Sequence, residues 1–151
     1  GADVPFLRPK GLSTDDASTI DTVINVLEEI EIIDQQYEYI VLLQPTSPLR
    51  TSKHIDSAVE LLQSSDSDSI ISMCEIEHPP LWSGLLPDDH DLSGFLDDSI
   101  INKMSQELEK HYRINGAIYL VDSTRIRQEK SIFAHSKCRA YIMDQEIKML
   151  R

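Results

Sequence analysis

The chain has 151 residues, 40% of them apolar and 26% charged, with a net charge of −12. That is the size and balance of one ordinary globular domain, which excludes a disordered tail or a bundle of membrane spans. The acidic excess argues against nucleic acid as a partner, because phosphate-backbone binding needs clustered Lys and Arg; a small anion held by a few local cations stays open.

Residues 1–14 read as a polar loop broken by Pro5, Pro9 and Gly11. Gly1 to Phe6 lacks the basic start and apolar core of a secretory leader. A helix follows, with Ile20, Val23, Ile24, Leu27 and Ile30 on one face. Asp15, Asp16, Ser18 and Asp21 crowd its beginning, where they suit free backbone N–H groups.

Tyr39 to Leu43 is a continuous apolar stretch. Its lack of alternation predicts a strand buried on both faces of a parallel sheet. The longest apolar run, Ile40 to Leu43, is far below the ~20 residues that span a bilayer, so no membrane is expected. Gln44-Pro45-Thr46-Ser47-Pro48-Leu49-Arg50 then stops the strand. Thr51 or Ser52 opens a second helix, with Ile55, Ala58, Val59 and Leu62 on one side.

Ser69 to Ile76 reads as a second strand. Residues 77–111 form a long connection with weak helical character near 102–111; connections of that size usually serve a function or a partner. Ala117 to Val121 is a third strand, 122–130 a short helix capped by Asp122 or Ser123, and Ala140 to Met143 a final strand. Alternating strands and helices predict an α/β layered fold with a mostly parallel sheet, whose ligands bind beyond the carboxyl ends of the strands.

The loop 44–50 carries an amide, hydroxyls and a guanidinium on a proline-stiffened frame. It suits the wall of a polar pocket, and equally an ordinary strand-to-helix turn. Asn115-Gly116 permits a close ligand approach or a plain bulge. Arg8 in its loop suits planar or anionic recognition, or is a simple surface cation. The five histidines, His54, His78, His90, His111 and His135, form no HxH or HExxH pattern, so zinc is not expected. Asp88-Asp89-His90-Asp91 lacks the glycine and terminal Glu of a calcium loop and reads as solvated. Cys74 and Cys138 form no CxxC pair and read as two reduced core thiols, consistent with a cytoplasmic protein. The glycines are isolated, with no GxGxxG and no GxxxxGK[ST] to cradle phosphates.

Three segments, in order, resemble one family. Phe6-Leu7-Arg8-Pro9 with Leu12 and Asp15-Asp16-Ala17-Ser18 is similar to an RPxxLAxDxAS segment. Leu42 to Arg50 matches the string LLQPTSPLR. Arg113-Ile114-Asn115-Gly116-Ala117-Ile118-Tyr119 resembles RxNGAIY. The chain thus resembles the central part of the acylneuraminate cytidylyltransferases, the CMP-sialic acid synthetases, over nearly its whole length.

The resemblance implies a Rossmann-like fold of the nucleotide-diphospho-sugar transferase type, with 1–151 as one domain and 77–111 as a dimerising and sugar-covering insertion. It implies transfer of CMP from CTP to a nine-carbon 2-keto sugar acid, N-acetylneuraminate or a close relative, releasing pyrophosphate with the help of Mg²⁺. By motif, Arg8 and the backbone near Ala17 would read cytosine, and Asp15, Ser18 and Thr19 would border the nucleotide pocket. Gln44 would bond the sugar acid, Arg113, Asn115 and Tyr119 would line its side, and Phe133 would reach into the partner of a homodimer. The family's glycine-rich ARGGSKxxxxKN segment has no match here. Its DxD metal pair has none after Tyr141-Ile142-Met143. The 151 residues alone are therefore expected to be inactive, to supply no metal ligands, and either to be marginally stable or to associate through an exposed sheet edge and face. Two alternatives remain: a non-catalytic sugar-acid or nucleotide binding or oligomerisation module, and a synthetase for CMP-legionaminate or CMP-pseudaminate.

Overall fold

The computed structural model describes residues 3–133 and 136–144. Helix α1 (Thr19–Ile32) leads into strand β1 (Tyr39–Leu42), helix α2 (Ser52–Gln63) and strand β2 (Ser69–Glu75). After the long arm come strand β3 (Tyr112–Asp122), helix α3 (Ser123–Glu129) and strand β4 (Cys138–Met143). Between β2 and β3 only two short 3₁₀ turns occur, Pro80–Trp82 and Ser105–Glu107, so the helix suggested near 102–111 shrinks to one turn. The irregular arm keeps Leu85, Leu86, Leu92, Ile101 and Met104 exposed.

The sheet order is β1-β3-β2-β4. β3 pairs antiparallel with both β1 and β2, and β4 pairs parallel with β2. The α/β expectation holds, but the sheet is mixed where a mostly parallel one was expected. The cause is the arm: it leaves the carboxyl end of β2 and re-enters at that same end, so β3 must run back.

Helices cover both faces. On one, Ala58 and Leu62 of α2 pack on Ile70, Ala117, Ile118, Leu120 and Met143. On the other, Val23 and Leu27 of α1 pack with Val121 and with Ile126 of α3. Adjacent residues of β3 serve opposite cores, as strand geometry requires, and each large side chain so buried contributes about 1.5–3 kcal/mol. The Asp122 carboxylate caps α3 by accepting the Arg125 N–H at 2.9 Å. The Arg125 side chain reaches Asp68 and Ser136, each at about 3 Å, and so steers the chain toward β4.

β1 corrects a second expectation. It lies at an edge of the described sheet and is not buried on both faces. Ile40 and Leu42 meet the α1 core, while Tyr39 and Val41 stay exposed. Of the two thiols, Cys74 is buried as expected, but Cys138 is exposed at the start of β4. Among the described residues no helix is long and apolar enough to cross a membrane.

Candidate functional site

Because β1, β2 and β4 share one direction, their carboxyl ends and the amino end of β3 meet at one end of the sheet. The 44–50 loop, the start of the 77–111 arm and Arg113 all lie there. The chain turns from α1 through residues 33–38 into β1, which brings the amino end of α1 to the same end. The topology therefore gathers motifs that are far apart in sequence.

Arg50 joins two of them. Its Nη1 donates to the Gln44 carbonyl at 3.0 Å and to the Ala117 carbonyl at 2.8 Å. The loop between is packed rather than loose: Ser47 is buried and the Arg50 N–H closes a turn on the Ser47 carbonyl. Gln44 itself is half-buried.

Asn115-Gly116 proves to be a bulge. Ile71 pairs with Tyr119 and Met73 with Ile114, so residues 115–118 of β3 face the single residue Ser72. Gly116 has φ 72°, a left-handed conformation that favours glycine. Ser72 and Asn115 are both 0% exposed. The Ser72 hydroxyl donates to Asn115 Oδ1 at 2.6 Å and accepts the Ile118 N–H at 2.7 Å. Asn115 Oδ1 also accepts the Ala117 N–H, and its Nδ2 faces the Met143 sulfur at 3.4 Å. Asn115 thus supports the strand; its amide is turned into the protein.

Arg113 lies beside a cavity of about 360 Å³ shared with Glu75, Glu77, His78 and Ser83. This is a mixed-charge cleft in which the planar guanidinium fork suits a carboxylate or a sugar hydroxyl. Tyr119 is nearly buried, and its ring meets Phe133 edge-on at 6.1 Å between centroids. Burial pushes the Tyr119 phenol above its ordinary value. Phe133 remains 46% exposed, so the two rings form an aromatic wall with one open side.

The residues expected to border a nucleotide are less enclosed. Arg8, Asp15 and Thr19 are exposed, and Ala17 and Ser18 are half-buried. Ser18 is the N-cap of α1 and accepts the Thr22 N–H on its carbonyl, but its hydroxyl makes no capping bond.

Among the described residues no group of three or more His, Cys, Asp or Glu could hold a metal ion. A larger cavity of about 730 Å³ opens at the other end of the sheet, between Gln35–Tyr39 and Asp122–Gln128. Its wall carries Glu31, Glu38 and Asp122, while its Arg127 is already paired with Glu31 at 2.8 Å. That acidic lining is unsuited to a triphosphate or a sugar carboxylate.

Sequence reasoning missed Ser72 and did not see Arg50 as a bridge. The signal for Ser72 was a small polar residue inside an otherwise apolar strand. Arg50 was visible as a cation closing a proline-framed loop.

No family model matches the chain. Curated relatives cover most of it. It is 33% identical over 140 residues to a CMP-N,N'-diacetyllegionaminic acid synthase of Legionella pneumophila. It is 37% identical over 150 residues to an N-acylneuraminate cytidylyltransferase of Streptococcus agalactiae. It is 31% identical over 133 residues to a pseudaminic acid cytidylyltransferase of Campylobacter jejuni. These matches take in 89%, 99% and 88% of this chain. The chain spans 57%, 34% and 57% of those relatives' own lengths.

Proposed function

Starting from its kinship with acylneuraminate-type cytidylyltransferases, we propose that this chain is the sugar- and base-binding part of an enzyme that makes a CMP-sugar acid. The observation that carries the reading is the meeting of the Gln44 loop with the Arg113–Tyr119 stretch at one end of the sheet. In the reaction the anomeric hydroxyl oxygen of a nine-carbon 2-keto sugar acid attacks the α-phosphorus of CTP. The new oxygen–phosphorus bond forms as the α–β phosphoanhydride breaks, pyrophosphate leaves with the electron pair, and the hydroxyl proton is released to solvent.

Each residue then has a role suited to its chemistry. Arg113 pairs with the carboxylate and the Gln44 amide bonds a hydroxyl or N-acyl group. Tyr119 and Phe133 make an apolar wall, and Asn115 keeps the strand in shape behind them. Arg8, Asp15, Ala17, Ser18 and Thr19 border the nucleotide. The exposed apolar side chains of the 77–111 arm suit a homodimer interface, with Phe133 free to reach a partner. The reaction belongs in the cytoplasm, where CTP is made.

The test is pyrophosphate release from CTP and Mg²⁺ with N-acetylneuraminate, legionaminate or pseudaminate. The 151-residue chain is assayed beside any longer product of the same reading frame. Turnover with one of the three supports the reading and names the sugar. Binding of CTP or a sugar acid by calorimetry, without turnover by either protein, supports a non-catalytic module. Neither binding nor turnover overturns both.

A further inference from the structure

The β1–β3 ladder ends in a fork, and Arg50 sits in it. The pairs run from Tyr39↔Asp122 to Leu42↔Tyr119. Continued at the same register, Leu43 would face Ile118 and Gln44 would face Ala117. Neither pair forms: Pro45 follows with no N–H to offer, and β3 swells into its bulge at 115–118. The Gln44 and Ala117 carbonyls are the two that would have stood opposite each other. Both accept from the same nitrogen, Arg50 Nη1, at 3.0 and 2.8 Å.

We infer that Arg50 is a positioning residue, whose guanidinium replaces the missing rungs of the ladder and sets the direction in which the Gln44 side chain leaves the sheet. One Nη carries two hydrogens, so both bonds form together, and the positive charge strengthens each. Arg50 is fixed at its own end as well. Its N–H closes the turn on Ser47, and the next residue, Thr51, is the N-cap of α2. On the far side the bulge is pinned by Ser72 and Asn115. Gln44 is therefore held between a helix start and a braced strand, and Arg50 is the link between them. Its guanidinium acts through Gln44 and makes no demand on substrate contact.

The inference rests on the sugar-acid reading for its kinetic consequence, and the experiment separates the two. Arg50→Met keeps the bulk and removes the donors; Arg50→Lys restores one nitrogen able to donate to both carbonyls. Backbone amide exchange over residues 43–50 is expected to speed up in Arg50→Met and to return most of the way in Arg50→Lys. In steady-state CMP transfer, Arg50→Met should raise the sugar-acid KM about ten- to a hundredfold, the cost of a small misplacement. The CTP KM should stay within about twofold, and Arg50→Lys should recover most of the loss. Unchanged exchange in Arg50→Met overturns the proposal. So does an equal rise in both KM values that lysine fails to reverse, since that marks general damage. If neither the 151-residue chain nor any longer product of its reading frame transfers CMP or binds a sugar acid, the sugar-acid reading falls, and amide exchange alone decides the clamp.

Discussion

Ser72 and Asn115 are 43 residues apart in sequence and meet at 2.6 Å in the interior, where the Ser72 hydroxyl donates to Asn115 Oδ1. The same hydroxyl accepts the Ile118 N–H at 2.7 Å. The contact fills the gap that the bulge opens between β2 and β3, and it satisfies a backbone donor that ladder pairing cannot reach. Removing the hydroxyl leaves Ile118 N–H and part of Asn115 without partners in a dry site. Ser72→Ala should cost about 1–3 kcal/mol, the penalty for a buried unsatisfied group. Urea denaturation measures it. A cycle with Asn115→Ala should show clear coupling, because each substitution removes the same bond. Independent effects would mean that the pair is not a unit.

Tyr119 links stability to alkaline pH. Burial holds its phenol above the ordinary value of 10.0. The unfolded chain therefore loses this proton at lower pH than the folded one. Above pH 10 the unfolded state binds fewer protons, so stability falls as pH rises from there through the folded value. Thermal melts between pH 8 and about 11.5 should show a steeper loss for the unsubstituted protein than for Tyr119→Phe. Parallel curves would sink the idea.

The α2 face of the sheet is tightly filled at Ala58, which is 0% exposed beside Ile70, Ile118 and Leu120. A larger side chain there must push α2 off the strands. Ala58→Leu should destabilise by about 1–3 kcal/mol. Ala58→Gly should cost about 1 kcal/mol, from helix propensity and a small void. Chemical denaturation of both variants checks the order, and a stabilised Ala58→Leu would show that the interface has spare room.

Among the described residues β1 has no partner on its outer side, and Tyr39 and Val41 stay exposed beside an apolar groove of about 370 Å³ against α1. Unpaired strand edges of this kind add further strands. The chain should associate with rising concentration in sedimentation velocity runs, and Val41→Lys should reduce that association with little change in melting temperature. A monomer at every concentration would show that the edge is protected.

Asp66 adds a response at acid pH. Lys137, bonded to it at 2.8 Å, holds its carboxyl below 3.8. Its contribution is present above that value and fades as pH falls through the folded one. The site is exposed, so the effect should be small and screened by salt. Acid melts of Asp66→Asn in low and high salt test it, and a difference that survives high salt would contradict surface screening.

Much of this protein was legible locally. Apolar spacing marked α1 and α2, the proline pair marked the end of β1, and Asp122 marked the start of α3. These features depend on residues within a turn or two of each other, so the chain states them directly. The three motif segments likewise pointed to the kinship with cytidylyltransferases that the curated relatives bear out. Only the tertiary structure decided that β3 runs antiparallel between β1 and β2, that β1 lies at an edge of the described sheet, and that Asn115 faces inward to Ser72. It alone brought Arg50 onto Ala117, 67 residues away. Strand direction and order are set by which distant surfaces bury each other best, and by where a long arm returns. Those are non-local balances of burial against hydrogen bonding, and no short stretch of sequence carries them.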